Sequence, residues 1–214
     1  MSLRVNEIFY SIQGESLFSG RPCVFVRLTG CNLRCTYCDT RYAYSEGIFM
    51  SIPQILDQVA TCRCKLVEIT GGEPLLQEDT PDLVRQLLAL NYKVLMETNG
   101  SHDISRVDRR CVHIVDIKCP ASGECHHNDL ANLKRIGPED QLKFVIRDQE
   151  DYRFARETLV SVPAGFPTDH ALFSPVAGKL EPAVLAGWIL EDHLDVRLHL
   201  QLHNFIWPDI DRGV

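Results

Sequence analysis

Cys31-Asn-Leu-Arg-Cys35-Thr-Tyr-Cys38 places three thiols within eight residues, at C-x3-C-x2-C spacing. Thiolates this close can each bind one iron of a [4Fe–4S] cubane, which is normally closed by four cysteines. Three leave one iron open to a small molecule, and that open corner would carry chemistry. A structural zinc site is a competing reading. It needs four closed ligands, usually as separated C-x2-4-C pairs, and Cys62-Arg-Cys64 is one residue too tight to supply the second pair. A third reading is three unrelated buried cysteines, since free cysteine packs readily inside proteins. A second candidate is Thr70-Gly71-Gly72-Glu73-Pro74. Paired glycines let another backbone approach closely and would leave strand-end carbonyls and amides for a ligand, although Gly-Gly at a strand end is usually only a turn.

The elements that must hold these groups alternate in type. Short β-rich apolar runs predict strands at Cys23–Leu28, Leu66–Thr70, Lys93–Thr98, Val112–Ile117, Leu142–Ile146, Ala171–Ser174 and Val196–Leu202. Helix signals lie between them. Ser51 with Gln54 forms a capping box ahead of Ile55, Leu56 and Val59. Thr80-Pro81 reads as N-cap and first helical residue before Leu83, Val84, Leu87 and Leu88. Asp148 can cap a helix through Phe154 and Leu159, and Glu181–Leu190 forms another with Ala183, Val184 and Ile189 as apolar contacts. Such alternation predicts an α/β fold of parallel units. The length falls short of a full eightfold barrel, so a partial barrel and a doubly wound sheet both remain open. Either one collects ligands beyond the carboxyl ends of its strands.

On the first of those strands, period two puts Phe25, Arg27 and Thr29 on one face and Val24, Val26 and Leu28 on the other. An inward arginine is costly unless it meets an anion. That anion is either a substrate carboxylate gripped by two donors or an internal Asp or Glu.

Composition bounds the rest. Of 214 residues 45% are hydrophobic and 24% charged, which excludes a mainly disordered or fibrous chain. The 22 basic residues against 29 acidic ones leave a net charge of −7, which argues against a broad nucleic-acid-binding face. No apolar run reaches the ~20 residues of a membrane helix, and Met1–Phe9 lacks a secretory pattern. A single cytoplasmic domain spanning 1–214 is expected. There the nine cysteines would be reduced, and call for a metal or redox role rather than disulfides.

The triplet, with Tyr37 just before its third cysteine, resembles the cluster motif of the radical S-adenosylmethionine (SAM) superfamily, and Gly71-Gly72-Glu73-Pro74 resembles its SAM-amino motif. Glu7–Glu15, Gly20–Arg27, Cys38-Asp39-Thr40, Glu97–Gly100, Gln201-Leu-His203, Trp207 and Arg212-Gly-Val214 further resemble the 7-carboxy-7-deazaguanine synthase family. That resemblance implies a partial (β/α) barrel of the radical SAM type, with helices outside. It also implies a homodimer that converts 6-carboxy-5,6,7,8-tetrahydropterin to 7-carboxy-7-deazaguanine with loss of ammonia, on the route to queuosine. SAM would bind the open iron of a cluster on Cys31, Cys35 and Cys38, and an electron would cleave it to a 5′-deoxyadenosyl radical. A flavodoxin- or ferredoxin-type protein would supply that electron.

Carried over residue by residue, the resemblance makes Ile12, Gln13, Gly14, Arg27 and Thr70 substrate contacts. Gln13 and Glu15 would read the pterin edge, with Glu15 a candidate for moving a proton. Tyr37, Cys38, Asp39, Gly72, Lys118 and Ser174 would contact SAM, and Thr40 would hold Mg2+ shared with substrate and water. A glycyl-radical enzyme activase, similar in its cluster and Gly-Gly-Glu-Pro block, is the alternative, and a zinc module without catalysis is the third possibility.

Other residues are assigned plainer roles. Cys119, Cys125, His126 and His127 match no zinc spacing and read as a polar loop, and Cys62 with Cys64 offers too few ligands. Cys23 and Cys111 read as small buried hydrophobes. His199 reads as a satisfied structural histidine, and His203 could reach the pocket mouth.

Overall fold

The computed structural model describes residues 1–210 and 212–214. One nine-stranded sheet runs through it: β1 (Ser2–Ile12), β2 (Pro22–Leu28), β3 (Ile48–Ser51), β4 (Leu66–Gly71), β5 (Lys93–Thr98), β6 (Val112–Asp116), β7 (Gln141–Ile146), β8 (Ala171–Pro175) and β9 (Arg197–Leu198). Their spatial order is β3-β1-β2-β4-β5-β6-β7-β8-β9. From β2 to β9 every neighbouring pair is parallel, whereas β1 is antiparallel to both β2 and β3. Among the described residues β3 and β9 do not pair, so the sheet curls without closing. It is a partial barrel.

Helices α1 (Ile52–Thr61), α2 (Thr80–Ala89), α3 (Gln149–Leu159) and α4 (Pro182–Glu191) cover the outer face, and α5 (His203–Ile206) is one short turn. Outward-facing Val24, Val26, Val67, Ile69 and Phe144 pack with helix residues such as Ile55, Leu83, Leu87 and Leu185 in one core. Each such side chain, when fully buried, contributes about 1.5–3 kcal/mol. The opposite strand parity faces the lumen. Cys23, Phe25, Leu66, Leu95, Val112 and Ile114, with Phe9 and Phe18 against them, plug the amino-terminal end of the strands. Polar side chains follow further along the same faces, so the interior opens only toward the carboxyl ends.

The capping box on α1 is present, with Gln54 Oε1 accepting from Ser51 N at 2.8 Å. Asp148 caps α3 by accepting from Glu150 N and Asp151 N, each at 3.1 Å. Thr80 departs from its expected role. Asp79 is the N-cap of α2, while fully buried Thr80 donates its hydroxyl to Pro74 O at 2.6 Å and ties the helix to the glycine turn. On α4 the buried residues are Leu185 and Ile189, and Val184 stays exposed.

Two strands were not anticipated. In β1 the polar Arg4, Asn6 and Glu7 interrupt the apolar signal, and pairing with β2 slips between Val5 and Glu7. β3 is a four-residue edge whose Ile48 and Phe49 point to solvent. The expected 196–202 strand pairs only over Arg197–Leu198.

Candidate active site

The cysteine loop leaves β2 through Thr29 and Gly30, whose φ of +103° suits glycine. Two remote segments brace it. Gly30 N donates to Ala43 O and Glu73 N donates to Gly30 O, each at 2.8 Å. On the other flank Thr36 N donates to Ser122 O at 3.0 Å, Thr36 Oγ1 to Ala121 O at 2.8 Å, and Arg34 N to Glu124 Oε1 at 3.0 Å. Arg34 lies 4.2 Å over the Tyr44 ring and donates to Cys31 O.

Cys31, Cys35 and Cys38 are half-buried and border one cavity. Burial pushes the Cys35 thiol up to about 11, against the pull of Lys118, and burial also raises Cys31. Thiolates at Cys31 and Cys35 therefore need bound cations. Their sulfurs are not gathered within 4.8 Å of one another; among the described residues only Glu124, His126 and His127 bring three ligand atoms that close. One tetrahedral zinc at about 2.3 Å from each sulfur would draw them to roughly 3.8 Å apart. Three thiols on one loop bordering one cavity form a donor set that fits a [4Fe–4S] group with one open corner.

Gly71 and Gly72 end β4 against this loop. A Cβ on Gly72 would lie 2.1 Å from Gly30 O and 2.7 Å from Cys31 Cβ. The amides expected to be free are not: Gly72 N donates to Leu28 O at 3.3 Å and Glu73 N to Gly30 O. The glycines serve close backbone packing. Buried Glu73 locks the turn by accepting from Leu75 N, Thr98 Oγ1 and Asn99 N. Gly72→Ala is expected to cost about 1–3 kcal/mol by overpacking and to lower the iron retained per chain, checked by thermal unfolding and iron assay.

The cavity holds about 650 Å³ and is lined by Ile12, Gln13, Gly14, Glu15, Arg27, Tyr37, Asp39, Thr40, Thr70, Gly72 and Lys118, besides the cysteines. These are the residues expected from sequence, with one exception. Ser174 is buried within β8 and does not reach the lining; Val176, Ala177 and Lys179 beyond it do. Near the cysteines Lys118 Nζ pairs with Asp116 Oδ2 at 2.7 Å. Buried Asp116 Oδ1 has no partner among the described residues, an orphan acceptor that a ribose hydroxyl or amine of SAM would satisfy. Thr40 Oγ1 donates to Asp39 Oδ1 at 2.7 Å.

Arg27 meets an internal anion. Its Nε donates to Glu7 Oε1 at 2.7 Å, and Tyr42 OH donates to the same oxygen at 3.0 Å. The Phe9 and Tyr42 rings flank it, each within 6 Å. The ion pair orients the guanidinium and leaves its terminal nitrogens without a protein partner among the described residues, available to an anion in the cavity.

The Gln13 side chain is engaged within the protein. Its amide donates to Glu68 and accepts from Glu15 N at 3.0 Å, leaving the backbone of 12–14 on the lining. Glu15 grips Lys143, which also donates to Glu97 Oε1 at 2.8 Å. Burial works to raise the Glu15 carboxyl, but Lys143 and His199, with hydrogen bonds from Lys143 and Gln201, hold it down to about 2. Glu97 is raised by burial despite Lys143.

His199 is not satisfied. It is buried, neither ring nitrogen has a partner among the described residues, and burial depresses it to about 4. His203 does reach the cavity, with its ring against Gly14. Cys23 and Cys111 are buried as expected.

Glu68, Glu97 and Lys143 were missed as site residues. Strand parity could have found them, since each sits on the inward register of an otherwise apolar strand.

A family model described as the Radical SAM superfamily matches residues 25–113. A 7-carboxy-7-deazaguanine synthase from Koribacter versatilis is 45% identical over 226 aligned residues, covering 99% of this chain and 100% of the relative. One from Chlorobaculum tepidum is 46% identical, covering 99% and 97%. Among solved structures, QueE from Escherichia coli aligns over 94% of each chain with a TM-score of 0.78 at 23% identity, a likeness of fold.

Proposed function

Since this chain belongs to the 7-carboxy-7-deazaguanine synthase family of radical SAM enzymes, we infer that its cavity converts 6-carboxy-5,6,7,8-tetrahydropterin to 7-carboxy-7-deazaguanine and ammonia. The observation that carries this reading is one pocket lined by three half-buried cysteines and by an arginine that Glu7 orients. The activase alternative is not favoured, because the full-length relatives are named synthases.

A [4Fe–4S] cluster held by Cys31, Cys35 and Cys38, together with SAM, would supply one-electron radical chemistry here. The protein's own residues position and shield. Cys31, Cys35 and Cys38 hold the cluster at the strand ends. Asp116 and Lys118 offer an acceptor and a cation beside it for the sugar and carboxylate of SAM. Arg27, steadied by Glu7 and Tyr42, binds the pterin carboxylate, with Thr70 beside it on β4 in register. The backbone of Ile12, Gln13 and Gly14 lines the other wall. The apolar plug excludes water from the far end.

Substrate and product differ by one ammonia, so the reaction needs no net oxidant. Glu15 faces this pocket as a carboxylate held by Lys143, a fixed charge pair beside the substrate. Asp39 and Thr40 present two oxygen donors to the cavity, a partial shell for Mg2+ that substrate and water would complete. The reading extends to a homodimer and to a flavodoxin- or ferredoxin-type electron donor. Among the described residues no helix is long and apolar enough to cross a membrane.

Anaerobic turnover tests the reading. Reconstituted protein with dithionite, substrate and a tenfold deficit of SAM should form product in excess of the SAM supplied. Product limited to the SAM consumed, or none, would overturn it.

A further inference from the structure

The inner end of the cavity holds more carboxyl groups than its one ammonium can match. Glu15 and Glu97 share Lys143. Glu68 lies deeper, directly across from Phe25 on β2 and Leu95 on β5, with Val112 next in the same row. Its one protein partner among the described residues is the Gln13 amide on Oε2, and Oε1 opens onto the cavity. Burial, with Glu97 and Glu15 nearby, pushes this carboxyl well above the usual range. A buried carboxyl satisfied on one side is costly until something donates to the other. A ligand that brings hydrogen-bond donors to this end would favour its charged form.

Arg27 makes the opposite demand. It pairs in register with Thr70, two residues beyond Glu68 on β4, about 7 Å nearer the strand ends. Its free nitrogens require an acceptor. The pocket thus has carboxyl acceptors at the blind end and the free Arg27 nitrogens nearer the strand ends. Gln13 braces the blind end, its amide donating to Glu68 and accepting from Glu15 N.

We propose that Glu68 is the specificity-determining residue that reads the 2-amino group and N3–H of the pterin, while Arg27 takes the carboxylate. This rests on the substrate assigned above. The carboxylate accepts both donors side by side, which places the pyrimidine ring against the Phe25–Leu95 row and turns the carboxylated carbon toward the cluster. A 2-oxo ring offers an acceptor and a donor on the same edge. It would leave one Glu68 oxygen facing another oxygen.

The test is binding without turnover, using cluster-loaded, SAM-bound enzyme kept anaerobic and without reductant. Dissociation constants are measured for 6-carboxytetrahydropterin and for its 2-oxo counterpart. Wild type should favour the 2-amino compound by about 10–100-fold, the range for a hydrogen-bonded pair that includes a charged group. Glu68→Gln, whose amide matches the 2-oxo edge, should reverse that order, binding the 2-oxo compound more tightly than wild type does. Glu97→Gln should weaken both without reversing them.

Equal weakening of both ligands in Glu68→Gln, or a reversal in Glu97→Gln instead, would overturn the proposal. So would a wild-type preference below threefold, which needs no variant to fold. Wild type that binds SAM but neither heterocycle would overturn the functional reading itself.

Discussion

Cys35→Ala is expected to abolish turnover, a loss of at least 1,000-fold, or about 4 kcal/mol at ~1.4 kcal/mol per tenfold. Cys35 is the middle thiol of the triplet, and the two that remain cannot present three corners of a cubane. No carboxylate or imidazole joins these sulfurs in a group close enough to stand in among the described residues. The purified variant should lose its brown colour, hold well below one cluster's worth of iron, and yield no 5′-deoxyadenosine after dithionite. Its fold should survive, because the loop is braced through Arg34, Thr36 and Gly30 rather than through Cys35. Cys62→Ala and Cys64→Ala supply the contrast. Both residues lie outside the cavity lining and should leave iron and activity near wild type. Full activity in Cys35→Ala would end the cluster reading.

Lys143→Met should have the largest effect on stability. Methionine keeps most of the volume but leaves Glu15 and Glu97 buried without their shared cation. Breaking a buried pair by removing one partner costs about 3–5 kcal/mol. For a chain of this size that lowers Tm by roughly 6–20 °C. The pH dependence should change sign as well. In wild type Glu15 titrates near 2 instead of its ordinary 4.5. Its pairing thus stabilises the fold above about 4.5 and is lost as pH falls toward 2. In Lys143→Met burial lifts Glu15 above its unfolded value too, joining Glu97, which burial already raises in wild type. The variant should then be most stable in acid and lose stability as pH rises through those values. Adding Glu15→Gln and Glu97→Gln should recover much of the loss near neutral pH. Differential scanning calorimetry across pH reads all three. A Tm for Lys143→Met within 2 °C of wild type would refute the assignment of Lys143 as the central cation.

The chemistry of the mouth could be read along the chain, because its residues are neighbours in sequence. The cysteine triplet and the glycine turn each occupy fewer than ten residues, and a strand–helix rhythm surrounds them. The chemistry of the floor is different. Glu68, Glu97 and Lys143 come from three strands, and the lysine belongs to this group only because curling of the sheet brings β7 across from the loop after β1. Short-range periodicity marks each as inward but cannot say which carboxylate meets which cation. β1 escaped notice because Glu7, which reads locally as a surface charge, faces inward to hold Arg27. Thr80 was placed one residue wrong because its hydroxyl answers to Pro74, a partner outside its helix. The buried and unpartnered His199 has no local signature at all.

The brace between Arg34 and Thr36 on one side and residues 121–124 on the other spans some ninety positions. During synthesis the three cysteines leave the ribosome long before the segment that shapes them. A nascent chain halted near residue 100 would carry every thiol the cluster requires and lack the scaffold that spaces them. A chain truncated before residue 121 is therefore expected to retain less iron than the full chain, read by iron assay.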